Sequence, residues 1–538
     1  MRNMKNVYVS DQSAKLTAGI ISRRQFVKSL TAAGFAFSSA FALADKSLAS
    51  VPRKGGTFRI GMGYGSSTDS LDPANYSNAM TSNMAYAWGN SLTEVNNRGE
   101  LVPELAENFE SYDGKTWRFE LRREVDFHHG KTLDSDDVIA SINHHRSEDT
   151  KSPVKYLLTD VTDIRKDDRY TVVVDLKEPN ADFPHIISDP RLIIMPSKDG
   201  ELDTRFGFGI GTGPYAVTHW EPGARFEAKR HPNYWKQNAA HFEDIQILSI
   251  LDNAARQDAL ISGNVDVIDR VDINSVSRLQ RQSSISILEK TGTRHYTFPM
   301  RLDVEPFGDY DLRMALKYAV KRGELVDKIL LGHGALGNDI PLSSANQFFD
   351  QSIPQRDFDG ERAARHYRRS GHSGSIKLST SEAAFKGAIQ AAELIAQSAK
   401  EVGIDIEIVG EPNDGYWSNV WNKKGWCACY WGGRSTADAM FASAYVEATA
   451  WNDTAWTKTE AARKFNTLVR DARRELDSAK RTELYAAAQT LLHDDGGALI
   501  PMFSNHIMAL SKQVVHSDRV AANQELDGYK AAERWWFA

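Results

Sequence analysis

Aromatic side chains are concentrated between Tyr416 and Trp456, where they could form a binding surface. The stretch contains Tyr416, Trp417, Trp421, Trp426, Tyr430, Trp431, Tyr445, Trp451 and Trp456, from 12 Trp and 18 Tyr in the whole chain. Rings of this kind, separated by Gly432-Gly433 and polar residues, form flat apolar surfaces with polar edges, which suit a small amphipathic solute. The alternative is that most of these rings form a hydrophobic core. The candidates for ligand contact are Trp417, Tyr430, Trp431, Trp451 and the neighbouring Asn452.

The common signatures of a catalytic or metal site are missing from the sequence. It has no Gly-x-Ser-x-Gly, no His-Glu-x-x-His and no P-loop. The run 332–337 matches the glycine pattern of a dinucleotide loop, but it follows the predicted end of a helix, so we expect a helix cap and a surface loop. The pairs His128-His129 and His144-His145 are adjacent residues that point in different directions, which favours solvated or core histidines over metal ligands. We therefore expect no enzyme activity, no cofactor and no metal. A secreted hydrolase, the alternative class, would need a nucleophile with its base.

The elements that must position these residues alternate between strands and helices. Asp113-Gly114, flanked by alternating apolar residues, predicts a hairpin within 109–121, and Asp134 predicts the cap of a helix through Ile142. Helical patterns dominate the second half of the chain, with short strands between some of them. They cover 311–322, 381–402, 457–476 and 478–493. This alternation predicts mixed α/β domains.

Length and composition indicate a folded chain of several domains. Its 538 residues exceed what one hydrophobic core usually supports, so two or three domains are expected. Hydrophobic residues make up 41 % and charged residues 25 %, which excludes a disordered, collagen-like or disulfide-stapled chain. The two cysteines, Cys427 and Cys429, are one residue apart and neighbours so placed rarely reach disulfide geometry. We expect two buried thiols in a strand. The alternative is a redox or metal-binding pair, which the sequence does not favour because it has no further cysteine.

The N-terminal residues 1–44 have the pattern of an export signal. Ser22-Arg23-Arg24-Gln25-Phe26-Val27-Lys28 precedes the uncharged run 29–44, which ends in Ala42-Leu43-Ala44. This resembles a twin-arginine (Tat) signal, although a basic amphipathic N-terminus of a cytosolic protein is the alternative. Cleavage after Ala44 would leave a chain with a formal charge near −11. Such a chain lacks the positive electrostatic field that non-specific nucleic-acid binding needs, so we expect no nucleic-acid partner. No cysteine lies near the end of the signal, so we expect a periplasmic protein without a lipid anchor.

Several short motifs follow one another along most of the chain. They include Gly56-Thr57-Phe58, Leu71-Asp72-Pro73, Gly114 to Arg122 with Val125 to Gly130, Gly211 to Tyr215, Asn233-Tyr234-Trp235, Ser262 to Asp266, Pro306-Phe307 and Ile500 to Phe503. In this order they resemble the family 5 extracellular solute-binding proteins, the dipeptide- and oligopeptide-binding components of ABC transporters. The resemblance implies an α/β, two-lobed periplasmic binding protein (Venus-flytrap, class II/cluster C type) with an extra subdomain in lobe I.

The resemblance also implies domain limits and a mode of action. Lobe I would comprise 52–90, 205–292 and 505–538, with the inserted subdomain at 91–204, and lobe II would comprise 293–504. Such a protein captures its solute by hinge closure and delivers it to membrane permease subunits of an ABC importer. A monomer that binds a short peptide or a peptide-like, carboxylated solute is expected. The alternative within the same fold is a receptor for an opine or a sugar.

The resemblance assigns the residues after Trp431 to the ligand site. In the peptide binders an aspartate three residues after the Trp pairs with the peptide α-ammonium, whereas this sequence has Arg434 there. A guanidinium in a water-poor cleft needs an anionic partner, so Arg434 is expected to bind a ligand carboxylate or phosphate, or else a protein carboxylate. Asp438 is expected to take an amine of the ligand or to cap the next turn. Tyr64 and Ser66 are further candidates by family position.

Overall fold

A computed structural model describes residues 8–9, 11–13, 15–16, 20–33, 35 and 52–538. Within the predicted signal it contains the helix Arg23–Ala32, which Ser22 caps by accepting a hydrogen bond from the Gln25 amide. The predicted cleavage site Ala42-Leu43-Ala44 lies outside the described residues. Among the helices that the structure describes, none combines the length and the apolar character needed to cross a bilayer.

A mixed sheet of nine strands runs through the centre of the described chain. Its order is Tyr215–Glu221, Arg225–Arg230, Asp244–Ser249, Thr57–Met62, Val267–Ile268, Ala498–Ser511, Ile285–Pro299 and Cys429–Trp431, and Gly334–Leu336 pairs beside Ala498–Ser511. Thr57–Met62 is parallel to both of its neighbours, and the other pairings are antiparallel. Phe58, Ile60 and Met62 alternate along the parallel strand and are all buried, as expected for one face of a sheet on a core.

Two long antiparallel strands connect the two halves of the molecule. Ile285–Pro299 has 15 residues and Ala498–Ser511 has 14. One end of the pair packs into a core that contains Met508 and Leu510, and the other end packs into a separate core that contains Phe298 and Leu499. The pairing register shifts between Thr291 and His295, so a bulge separates the ends. These strands are therefore the crossings between two lobes.

The first lobe carries a smaller sheet and a capped helix. A four-stranded antiparallel sheet has the order Ala106–Glu110, Thr116–Leu121, Thr171–Leu176 and Val161–Asp168. The predicted hairpin is confirmed in its first two strands, and Asp113 Oδ1 accepts from the amides of Lys115 and Thr116 in the turn. The helix Ser135–His144 is confirmed, with Asp134 as its cap. Other elements on this side are Ala79–Trp88, Thr93–Val95, Leu101–Pro103, Phe183–Ile186, Ser197–Lys198, Glu201–Leu202, Asn253–Ile261 and Val276–Gln280.

The second lobe is mainly helical, and its helices differ from the predicted ones in their limits. The predicted helix 311–322 is two helices, Tyr310–Tyr318 and Arg322–Ile329. The predicted helix 381–402 begins only at Ala388, because Gly387 has a φ of +86°, which a helix interior does not allow. The remaining helices and strands of this lobe are Gly360–Ser370, Ile376–Thr380, Ile406–Gly410, Tyr416–Asn419, Ala437–Ala444, Glu460–Arg474 and Ser478–Asp495.

Two further expectations concern the cysteines and the glycine-rich run. Cys427 and Cys429 are free and buried, as predicted. The strand expected to contain both is Cys429–Trp431, so that part is wrong for Cys427, which forms only an isolated bridge with Ser379. Gly332 has a φ of +81° after the end of a helix, and its amide donates to the Val326 carbonyl, as expected for a helix cap. The prediction that a surface loop follows this cap is wrong in part, because Gly334–Leu336 forms an edge strand of the central sheet.

The C-terminal part of the chain contains four short elements, which are Val514–Val515, Glu525–Gly528, Ala531–Arg534 and Trp536–Phe537.

Candidate functional site

A cavity of about 680 Å³ lies between the two lobes. Its volume falls within the range of small-molecule sites, roughly 300–1,000 Å³. The first lobe supplies Tyr64, Tyr86, Tyr156, Asp189, Arg191 and the segment around Glu525, and the second lobe supplies the loop from Gly432 to Ser443. Thr293 and Arg294, at the bulge of the crossing strands, lie between them. Residues from both lobes therefore surround one small-molecule-sized space, which we call the interlobe cavity.

Arg434 enters the interlobe cavity from the loop that follows the strand Cys429–Trp431. Its Nε donates to Ser443 Oγ at 3.2 Å and its Nη1 donates to the Gly433 carbonyl at 2.8 Å. The guanidinium lies 5.4 Å from the centre of the Trp431 ring, in cation–π geometry. Burial lowers the pKa of Arg434. In the part of the chain that the structure describes, no carboxylate forms an ion pair with this guanidinium.

The loop that carries Arg434 is held close to the crossing strands by a glycine. Gly433 has a φ of +77°, and a Cβ at this position would overlap the side chain of Thr293. Neither the backbone conformation nor the contact would tolerate a larger residue. Arg294, the next residue along the crossing strand, is exposed at the cavity. This arrangement brings the side chains of two arginines, Arg434 and Arg294, to one cavity.

Asp438 also lines the interlobe cavity, but it already has a cationic partner. Both of its carboxylate oxygens accept from Arg473 Nε at 3.0 Å. Burial raises the pKa of Asp438 to about 6, and Arg473 opposes that shift. The alternative role as a helix cap is wrong, because the helix Ala437–Ala444 is capped by Thr436, whose Oγ1 accepts from the Ala439 amide.

The predicted aromatic residues do not line the interlobe cavity. Trp431 is buried, and its Nε1 donates to Asp453 Oδ2 at 3.2 Å. Trp417 and Tyr430 are each 41 % exposed and contact each other edge to face at 5.6 Å. Trp451 is 51 % exposed and packs on Trp431. The structure therefore does not bring these rings to the cavity that Arg434 lines, and of the four only Trp431 contacts Arg434.

The other predicted site residues divide between the cavity and the surrounding structure. Asn452 is buried, where its Nδ2 donates to the Tyr445 carbonyl at 3.2 Å. Tyr64 lines the cavity, with the Arg270 guanidinium 4.6 Å from its ring centre, and burial raises its pKa to about 12. Ser66 is not among the residues that line the cavity and bonds within its own loop, to Thr68. Tyr64, Arg434 and Asp438 are thus the predicted residues that meet at the cavity.

Sequence reasoning missed several parts of the cavity wall. Among them are His506 on a crossing strand and the C-terminal segment 523–529, which includes Asn523 and Glu525. The pair Asp527-Gly528 signals a turn, but a turn signal alone does not indicate that the turn borders a cavity. Tyr156 and Arg191 were also missed, because only the packing of the chain brings them to the cavity.

A comparison with protein families decides the identity. Residues 100–453 match the family described as "Bacterial extracellular solute-binding proteins, family 5 Middle". The chain belongs to this family. Among curated proteins, the dipeptide-binding protein of Escherichia coli (strain K12) is 25 % identical to this family 5 protein over 457 residues. The alignment covers 77 % of this chain and 83 % of that protein.

Solved structures show the same fold for nearly the whole family 5 chain. HbpA2 from Haemophilus parasuis aligns with a TM-score of 0.79 at 22 % identity, covering 90 % of this chain and 100 % of the other. The binding protein AgaA of A. tumefacien R10, in complex with agropinic acid, aligns with a TM-score of 0.66 at 21 % identity, covering 90 % and 99 %. These neighbours confirm the predicted two-lobed α/β fold of a periplasmic binding protein. The predicted solute-binding role is confirmed by the family.

Proposed function

We propose that this protein is the periplasmic receptor of an ABC importer and that it captures a short peptide or a peptide-like, carboxylated solute in the interlobe cavity. The observation that supports this proposal is the guanidinium of Arg434, which lines the cavity without an ion-pair partner among the described residues. A buried or half-buried charge without a partner is costly, and the planar guanidinium matches a carboxylate in two parallel hydrogen bonds. A ligand carboxylate would supply that partner.

The relatives narrow the class of ligand. Their names include a dipeptide-binding protein and a binding protein in complex with agropinic acid. A dipeptide and an opine such as agropinic acid both carry a carboxylate that an arginine could bind. A peptide is our first candidate, since the curated relative binds dipeptides, and an opine is the second because AgaA shares the fold over nearly the whole chain. The released solute would be chemically unchanged, as expected of a receptor and not of an enzyme.

The location and partners of the receptor are part of the proposal. Residues 1–44 would act as a twin-arginine signal that is removed after export, and the absence of a cysteine near residue 44 favours a free protein over a lipid-anchored one. The partners would be the ligand and the permease subunits in the inner membrane. We expect a monomer that closes over its solute by bending at the crossing strands.

Substitution of Arg434 by Ala tests the carboxylate site. We expect the variant to bind its solute at least 10-fold more weakly, since a charge-assisted hydrogen bond is worth about 1.5–3 kcal/mol. The solute is identified by native mass spectrometry of the wild-type protein, and its affinity is measured by isothermal titration. Where no solute copurifies, dipeptides and agropinic acid are titrated instead.

The matched control is Arg463→Ala, which removes an exposed arginine of the same lobe on the helix Glu460–Arg474. The control should bind as the wild type does. Unchanged affinity of the Arg434 variant for the native solute would contradict the proposed role of Arg434.

A further inference from the structure

Tyr156 presents an exposed ring to the interlobe cavity from the first lobe. It lies on the short turn Lys155–Leu158 and is 65 % exposed. Val154 and Leu158 on either side of it are buried in the core beneath the smaller sheet. Because these two residues anchor the turn, the ring between them points outward. The Tyr156 carbonyl accepts from Thr159 Oγ1, but its hydroxyl has no hydrogen-bond partner among the described residues.

Arg434 reaches the same cavity from the second lobe with donors to spare. Its Nε and Nη1 donate to Ser443 and to the Gly433 carbonyl, while its Nη2 donates to no residue that the structure describes. A guanidinium has five N–H donors, so part of the fork is available to a ligand. Burial lowers the pKa of Arg434, whereas the Tyr156 hydroxyl, when ionised, raises it. Since such an effect falls off with distance, the two side chains lie near each other across the cavity.

The carboxylates that line the cavity are engaged elsewhere. Three of them pair with arginines, and these ion pairs are Asp182–Arg481, Asp189–Arg191 and Asp438–Arg473. Asp160 is exposed and lies near Arg473. Glu525 has a single ion-pair contact, to His506 at 3.8 Å. Within the described part of the chain, none of these carboxylates pairs with Arg434, so an anionic group of the solute can take that place.

Arg294 lines the same cavity in a different electrostatic setting. Besides burial, which is the largest cause, four charged groups shift the pKa of Tyr64, namely Glu525, Arg270, Asp269 and Arg294. Two of these groups are cations and two are carboxylates, so the charges around Tyr64 are balanced. An anionic group of the solute would therefore meet opposing carboxylates near Arg294, whereas the positive charge of Arg434 is not balanced in this way.

We propose that the Tyr156 hydroxyl and the Arg434 guanidinium bind the same anionic group of the solute from opposite lobes. A carboxylate offers two oxygens with about four acceptor positions, so it can accept from both donors at once. This inference rests on the proposed function and adds the residue of the first lobe that completes the anion site. An anion bound in this way connects the lobes directly, so it stabilises the closed arrangement as well as the complex.

The test combines Tyr156→Phe, which removes only the hydroxyl, with Arg434→Ala. Affinities are measured by isothermal titration for the wild type, both single variants and the double variant. The probes are L-alanyl-L-alanine, L-alanyl-L-alaninamide, which has a neutral amide in place of the carboxylate, and agropinic acid. A copurifying solute, where there is one, is titrated as well, and any anionic probe that binds decides the result. The control is Tyr112→Phe, a residue of the same lobe that is 94 % exposed and does not line the cavity.

We expect Tyr156→Phe to bind the anionic probes about 10-fold more weakly, since hydrogen bonds to charged groups are strong. Its binding of the amide should be unchanged, so the preference of the wild type for the acid over the amide should fall. The loss should also become smaller once Arg434 is replaced, because the anion has then lost its main contact. The melting temperature of the ligand-free variant should equal that of the wild type, and the Tyr112 variant should bind as the wild type does.

Three results would overturn the shared anion site and leave the proposed function standing. The first is wild-type affinity of Tyr156→Phe for every anionic probe that binds. The second is an equal loss for acid and amide together with a lower melting temperature, which indicates a structural role. The third is a loss that Arg434→Ala leaves unchanged and Arg294→Ala removes, which would locate the anion at the other arginine. If the wild type binds no probe and no solute copurifies, the proposed function fails and the shared site fails with it.

Discussion

Substitution of Asp182 by Asn tests what holds the interlobe cavity closed. Asp182 Oδ1 accepts from Arg481 Nη2 at 2.5 Å, and the two side chains are 5 % and 9 % exposed. Asp182 precedes the helix Phe183–Ile186 of the first lobe, and Arg481 lies on the helix Ser478–Asp495 of the second. Next to this pair, the Ala181 amide donates to the Arg473 carbonyl at 2.7 Å. Opening of the lobes would have to break these contacts.

The expected loss of affinity in Asp182→Asn depends on the contacts that Arg481 keeps in the variant. Removing one partner of a buried ion pair costs about 3–5 kcal/mol when the other charge is left without a partner. Arg481 retains a hydrogen bond from Nε to the Ala472 carbonyl at 3.1 Å and lies 4.8 Å from the Phe348 ring centre, and Asn can still accept one neutral hydrogen bond. We therefore expect a loss of about 2 kcal/mol in the closed state, which corresponds to about 30-fold in apparent affinity.

The assay is isothermal titration of the native solute, combined with small-angle scattering with and without it. Asp182→Asn should bind more weakly and should be less compact at a solute concentration that closes the wild type. The matched control is Glu178→Gln, because the Glu178–Arg474 pair also joins the lobes but its side chains are 61 % and 49 % exposed; exposed pairs contribute at most about 1 kcal/mol. If Asp182→Asn lowers the melting temperature without changing affinity or compactness, the pair stabilises the fold and not the closure, and the reasoning is refuted.

Two further predictions concern buried charges away from the cavity. Lys236 Nζ lies 2.9 Å from carboxylate oxygens of Glu94, Glu104 and Glu533, so Lys236→Met should lower the free energy of unfolding by about 3–5 kcal/mol in urea titrations; a loss below about 1 kcal/mol would contradict this. Burial lowers the pKa of Lys317 from 10.5 to about 7. Between pH 7 and pH 10.5 the unfolded chain therefore binds more protons at this group than the folded chain does, so the free energy of unfolding rises with pH. Relative to Lys317→Met, the wild type should therefore gain stability from pH 7 to pH 9, and parallel pH profiles would contradict the prediction.

Local elements of the fold could be predicted because their signals are contained in a few neighbouring residues. The hairpin at Asp113-Gly114 and the helix capped by Asp134 are examples, since turn and cap geometry depend on residues within one turn of the chain. The strand Ile285–Pro299 was not predicted. It crosses two cores and a bulge, so its apolar residues do not keep one alternating pattern.

The candidate site was predictable only in part, and the limit has a physical cause. Arg434 could be predicted at the cavity because the resemblance to the peptide binders implies a ligand-contacting residue at this position. The ring cluster from Trp417 to Trp451 has the composition of a binding surface, yet Trp431 is buried and donates to Asp453, and the predicted rings do not line the interlobe cavity. Glu525 could not be found, because the packing of the lobes, and not a local pattern, places the C-terminal segment 523–529 at the cavity.

The polarity of the cavity explains how closure could depend on the solute. Among the residues that the structure describes, Arg434 on the second lobe has no anionic partner at the interlobe cavity. Water would solvate this guanidinium more fully if the lobes opened, so closing without a ligand carries a desolvation cost. A carboxylate of the solute supplies the missing partner and offsets that cost, whereas an uncharged solute does not. Because a ligand shifts a conformational equilibrium only by its difference in affinity for the two states, the same guanidinium would contribute both to which solute binds and to which solute closes the lobes.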